Sequence, residues 1–193
     1  RVPAGPAIIS VVRDQGGTRV HQHAYLAYFE GRYWAWGSDG PGPPRPGVSA
    51  RRHRHSVPGH DLADNGVSYA TSSDGLHWSE PQDLAGPPRK EGFGWISRGL
   101  WVRDGQLLAL ASHFQAPGYA GKGLSLEAFR WDGQEERWER HGTVLDDSLN
   151  NFPHQLLPTG EWMMTRRDHR RQVSVMIGGV SAFNVWEVQP LAS

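Results

Sequence analysis

Cysteine is absent from this 193-residue chain, which excludes disulfide bonds, thiolate metal ligands and thiol nucleophiles while leaving the compartment open. Lysine is almost absent too, confined to Lys90 and Lys122, so arginine carries nearly all the basic charge. Either base composition accounts for that bias, or planar recognition of carboxylates does, and the second depends on particular positions. Neither sign of charge is in excess: 20 Lys and Arg balance 20 Asp and Glu for a formal net charge of +0. No global field therefore draws the chain to nucleic acid or to a membrane surface. Long apolar runs are missing as well. No stretch has the length of a membrane helix, and none keeps a helical period over several turns.

What the chain does have is turn residues and tryptophan: 24 Gly, 14 Pro and 9 Trp among short apolar runs. This composition suits an all-β chain dense in turns. The phrase Ala70-Thr71-Ser72-Ser73-Asp74-Gly75-Leu76-His77-Trp78 reads as a strand, an Asp-Gly turn and a tryptophan plug. Asp74 is expected to accept turn amides, and Gly75 to supply a positive φ.

The rest of the chain repeats. Gly31 to Asp39, Gly105 to His113 and Gly160 to Asp168 align as strands that each follow a glycine turn. Before each glycine lies an apolar run: Ala24 to Phe29, Gly99 to Val102, and His154 to Leu157. A third strand follows in each unit, at Val67 to Ser72, Leu124 to Trp131 and Gln172 to Ile177, and each unit closes on a tryptophan: Trp78, Trp138, Trp186. Repeated four-stranded units at intervals of about 40 to 70 residues are the mark of propeller blades. The expected fold is all-β, a β-propeller of four-stranded antiparallel blades, with a β-sandwich as the structural alternative. Blades are expected near 21–90, 95–148 and 152–190, forming one partial domain over 1–193. Three blades do not close a ring, so further blades of the same polypeptide are the expected partner.

The Asp-Gly phrase resembles a shortened Asp-box of the sialidase-like propellers, whose usual form is Ser-x-Asp-x-Gly-x-x-Trp. The resemblance makes Ser72, Asp74, Gly75 and Trp78 structural, a hairpin between the outer two strands of a blade. Chemistry is expected elsewhere, where first strands begin and second strands end, near the mouth of the central channel. The opening positions are His21-Gln22-His23, Ser97-Arg98 and Phe152-Pro153-His154; the closing ones are Ser38-Asp39, Ser112-His113 and Arg166-Arg167-Asp168.

Each of these has a bland reading beside the functional one. His23 either performs acid–base chemistry or satisfies backbone groups at the channel. His21 and His23 share a strand face at a spacing that suits a metal, but no third ligand stands out and no metal is expected. Arg98, between bulky Trp95 and Trp101, either grips a carboxylate or forms a channel ion pair. His154 either packs or binds. Strand alternation lets at most one of Arg166 and Arg167 point into the site. The basic run Arg51-Arg52-His53-Arg54-His55 reads as a solvated loop in a long insertion, not a nucleic-acid patch.

Gln22-His23, the run from Ala27 to Trp34, the Asp-Gly phrase and the run from Leu157 to Asp168 together resemble the seven-bladed sialidase-like propellers that act on rhamnose–glucuronate linkages, the α-L-rhamnosidases and rhamnose–glucuronate lyases. That resemblance implies a catalytic His23 with Gln22 beside it. It implies uronate binding by Arg98, His113, His154 and Arg166 or Arg167. It also implies an acidic oligo- or polysaccharide substrate, no cofactor, and a secreted or periplasmic setting. The alternative is a non-catalytic propeller that binds glycan or protein.

Overall fold

A computed structural model describes residues 19–41, 65–84, 92–115, 123–150, 154–179 and 185–191, and among these there is no helix. The basic run 51–55, most of the insertion around it, and Phe152 and Pro153 lie outside the described residues. Among the described residues twelve strands form three antiparallel sheets of four, each in simple meander order. The first sheet holds β1 (Arg19–Phe29), β2 (Arg32–Pro41), β3 (Gly66–Ser72) and β4 (Gln82–Asp83). The second holds β5 (Phe93–Arg103), β6 (Gln106–Gln115), β7 (Ser125–Asp132) and β8 (Arg137–Asp146). The third holds β9 (Gln155–Leu156), β10 (Trp162–Arg167), β11 (Val173–Gly178) and β12 (Trp186–Pro190). These are three propeller blades, and they do not close into a ring.

Local chemistry sets the hairpins. Glu30-Gly31 and Asp104-Gly105 both take positive φ at both residues, 48° and 77° in the first turn, 48° and 69° in the second. That is the pattern of the two-residue turn whose twist matches paired strands. The third strands fall where the repeat placed them, and Trp138 and Trp186 lie in the fourth strands, whereas Trp78 precedes β4 by four residues. The two innermost strands of blades one and two, however, start earlier than their apolar runs do, at Arg19 and Phe93. A bulge explains the difference. Pairing of β1 with β2 breaks between Gln22 and Tyr25, and pairing of β5 with β6 breaks between Ser97 and Gly99. An inserted residue throws the two-residue alternation out of phase, so only the half after the bulge reads as a strand.

Packing between blades follows the same alternation. On β6, Leu107, Ala109 and Ala111 join Trp34, Trp36, Val67 and Tyr69 of blade one in one core cluster. Leu108 and Leu110 join Met164, Met176 and Trp186 of blade three in another. Blade two is therefore apolar on both faces, with β6 buried from Leu107 to Ser112. Full burial of each leucine contributes about 1.5–3 kcal/mol. Trp138 and Trp186 turn inward against the blade before them, whereas Trp78 of blade one is only half-buried.

Candidate functional site

The inner strands bring three of the expected residues to one level. His23 occupies the bulge of β1 with φ at 52°, outside the range that most side chains tolerate. The carbonyl of His23 accepts a hydrogen bond from Ser97 Oγ at 2.7 Å, and Ser97 is the neighbour of Arg98 in the bulge of β5. His154, just before β9, lies against Gly99, the residue after Arg98. A Cβ on Gly99 would come within 2.9 Å of the His154 Cε1 and 3.2 Å of its Nδ1. Ser97 and Gly99, the residues on either side of Arg98, thus tie the bulge of β5 to His23 of β1 and to His154 just before β9. Since β1 and β5 begin upstream of their bulges, this level lies below the strand openings, deeper than expected.

Arg98 is 1% exposed. Its Nε donates to Ser112 Oγ at 3.1 Å, and its carbonyl accepts from Asn150 Nδ2 at 2.7 Å. Tyr25 of β1 lies within its field: burial raises the Tyr25 phenol above its ordinary value, and the Arg98 charge opposes that rise. His154 is 8% exposed and sits between Trp101 and Trp162, with ring centroids 3.8 Å and 5.4 Å away. Burial lowers its pKa to about 4, so the ring is neutral near pH 7. Among the described residues its Nδ1 has no hydrogen-bond partner.

The other expected residues stand apart from this level. His113 is stacked between Phe93 and Trp95, at centroid distances of 4.8 Å and 4.6 Å, near the open end of blade two. Arg166 faces blade two and donates to the Asp147 carbonyl at 2.9 Å. Arg167 follows on the opposite face of β10, and its backbone pairs with Leu149. Of Gln22 only the backbone is described, opposite Ser38 in the β1–β2 ladder.

The Asp74 turn sits between β3 and β4, the outer strands of blade one. Asp74 Oδ1 accepts from the Leu76 and His77 amides at 2.8 Å each, and Oδ2 lies 2.7 Å from His77 Nδ1. The His77 ring and amide, with the Leu76 amide, hold the Asp74 carboxyl far below its ordinary range. Ser72 Oγ accepts from the Gly75 amide at 2.8 Å, and Gly75 has φ at 75°. Asp132 makes a looser version between β7 and β8, accepting from Gln134 and Glu135. A matching clasp joins Asp147 to His169: its carboxylate takes the His169 amide at 2.8 Å and lies 2.7 Å from Nδ1. Burial alone would raise the Asp147 carboxyl, but the His169 ring and amide outweigh it and hold it below its ordinary value. Because the same clasp occurs in the outer Asp74 turn, it is a device for holding loops.

The sequence placed Ser97 at a strand opening only as the neighbour of Arg98, and it did not single out Asn150. Ser97 gave no signal of its own, because its partner His23 is 74 positions away. No group of His, Asp and Glu among the described residues has the arrangement of a metal site. No helix of the described residues is long and apolar enough to cross a membrane.

No family model matches the chain, and no curated protein does. Solved structures do resemble it. A protein of unknown function from Dyadobacter fermentans matches with a TM-score of 0.62 at 13% identity, over 91% of this chain and 56% of its own. The Trypanosoma rangeli sialidase, captured with 2,3-difluorosialic acid as a covalent intermediate, matches at 0.56 and 11% identity, over 87% of this chain and 27% of its own. A mutant of that sialidase with trans-sialidase activity matches at 0.54 and 10% identity, over 87% and 30%. The chain thus spans about half of the first structure and less than a third of the sialidases. At such identities the likeness is one of fold alone, a sialidase-like one.

Proposed function

We propose that this chain is part of a carbohydrate-active propeller that cleaves a rhamnose–uronate linkage through a histidine and arginine site. The approach of His23 and His154 to the two residues that flank Arg98 carries this reading. The sialidase-like fold and the Asp-box character of the Ser72–Trp78 turn support the superfamily.

In this reading His23 is the base. It removes the C5 proton of a glucuronate residue, the C5 electron pair forms the C4–C5 double bond, and the C4–oxygen bond breaks. Tyr25, whose raised pKa keeps its proton, protonates the departing oxygen. Arg98 contributes a fixed positive field from behind the site, which favours the charge developing on the uronate. Burial of Arg98 makes that role field rather than grip. Carboxylate contact then falls to Arg166, Arg167 or His113 nearer the mouth. A hydrolase would need two carboxylates about 5 to 10 Å apart, and the inner level of the described residues contains none. That favours histidine-based chemistry, either this elimination or a hydrolysis in which the uronate itself supplies the missing carboxylate.

A glycan-binding propeller without turnover is the second reading. It is favoured by the near-complete burial of Arg98, which withholds its guanidinium from a substrate. Incubation of the full-length protein with a rhamnose-capped glucuronate oligosaccharide separates the two. The lyase reading expects rhamnose release with ultraviolet absorbance from the unsaturated uronate, abolished in His23→Ala. Release without that absorbance indicates hydrolysis, and no release indicates binding only.

A further inference from the structure

We propose that Ser97, together with Ser38, is the positioning residue of His23. The inference rests on the reading of His23 as the catalytic base, and it names what holds that base in place. His23 holds a left-handed backbone, φ 52°, at the bulge where the β1–β2 register shifts, a conformation that costs free energy in a residue other than glycine. The surrounding structure must impose it.

Ser97 does so from the neighbouring blade. Its Oγ donates its single proton to the His23 carbonyl at 2.7 Å. The Ser97 and Ser38 hydroxyls are 2.9 Å apart, so with the Ser97 proton already committed, Ser38 must be the donor of that bond. Ser38 Oγ in turn accepts from the Ser97 amide at 2.9 Å. The chain of bonds therefore runs from Ser38 to Ser97 to the His23 carbonyl with no ambiguity of direction. Both serines are essentially inaccessible, at 1% and 0% exposure, where no solvent replaces a lost partner.

The next interface repeats the device. The carbonyl of Arg98, in the equivalent bulge of β5, accepts from buried Asn150, which leads into blade three. In both cases the carbonyl of a residue in the bulge of an inner strand accepts from a buried polar side chain, of the following blade for His23 and of the connection to it for Arg98. A bulge re-aims the side chain it carries; here the clamp fixes where His23 is aimed.

The test compares Ser97→Ala, Ser38→Ala and His23→Ala in the full-length protein. It uses turnover of the rhamnose-capped glucuronate oligosaccharide and the NMR signals of the His23 imidazole. The expected result is that Ser97→Ala shifts or broadens the His23 ring signals. It should lower kcat on the order of 10- to 100-fold with little change in KM. Ser38→Ala, which keeps the bond to the His23 carbonyl, should do the same more weakly and serves if Ser97→Ala does not fold. Unmoved His23 ring signals with wild-type kcat in both folded serine variants overturn the inference, even where His23→Ala is inactive. Wild-type turnover in His23→Ala overturns the functional reading, and the inference with it.

Discussion

The imidazole of His154 lies flat enough against Gly99 that a single added methyl would reach 2.9 Å from its Cε1. His154 is also boxed by Trp101 and Trp162, so it has little room to retreat. Gly99→Ala is therefore expected to destabilise the protein by about 1–3 kcal/mol through overpacking. Thermal melts would detect this. The same change at Gly105, whose Cβ would meet nothing within 4 Å, introduces only the strain of its positive φ.

Stability should also depend on pH through His154. Its folded pKa of about 4 lies below the ordinary 6.5, so the unfolded chain binds a proton more readily between those values. Stability is therefore whole above pH 6.5 and falls as pH drops towards 4, by on the order of 3 kcal/mol. The lowered carboxyls of Asp74, Asp132 and Asp147 lose their contributions at lower pH. His141, also lowered by burial, acts in the same direction as His154 but is largely exposed. Urea titrations at pH 7 and pH 4.5 would check the effect: His154→Leu should flatten the difference that the wild type shows, His141 being common to both.

Blade two should tolerate truncation far less than the outer face of blade one. Leu110 is fully buried between blades two and three, and Leu110→Ala is expected to cost about 2–5 kcal/mol. Leu76, in the outer turn of blade one, is exposed, and Leu76→Ala should lie within about 0.5 kcal/mol of wild type. Denaturant midpoints measured side by side give the comparison.

The Asp74 turn should act locally. Asp74→Ala removes the acceptor of the Leu76 and His77 amides, so hydrogen exchange at those two amides is expected to speed up. Exchange in β5 and β6 should be unchanged. Turnover should be unchanged as well, since the turn joins the outer strands of its blade.

The blades were legible because each unit carries its own punctuation. Gly31, Gly105 and Gly160 all adopt positive φ, the property that marks a hairpin glycine in sequence. Asp74 was legible for the same reason, its acceptors serving amides two and three residues on. The inner level was legible only in part. His23, Arg98 and His154 stood out by residue type, but their depth did not, because bulges break the alternation that marks a strand. The contacts that join them cross from blade to blade, and no spacing within one unit encodes them. Ser97, an ordinary serine in its own strand, became meaningful only beside His23.

The proposed function puts acidic glycan at the inner level of the blades and not at the outer Asp74 turn. Titration of the full-length protein with a glucuronate-bearing oligosaccharide, followed through its histidine imidazole signals by NMR, tests this directly. Saturable shifts are expected at His23 while His77, clasped by Asp74, stays still. Shifts at His77 with His23 unmoved would contradict it.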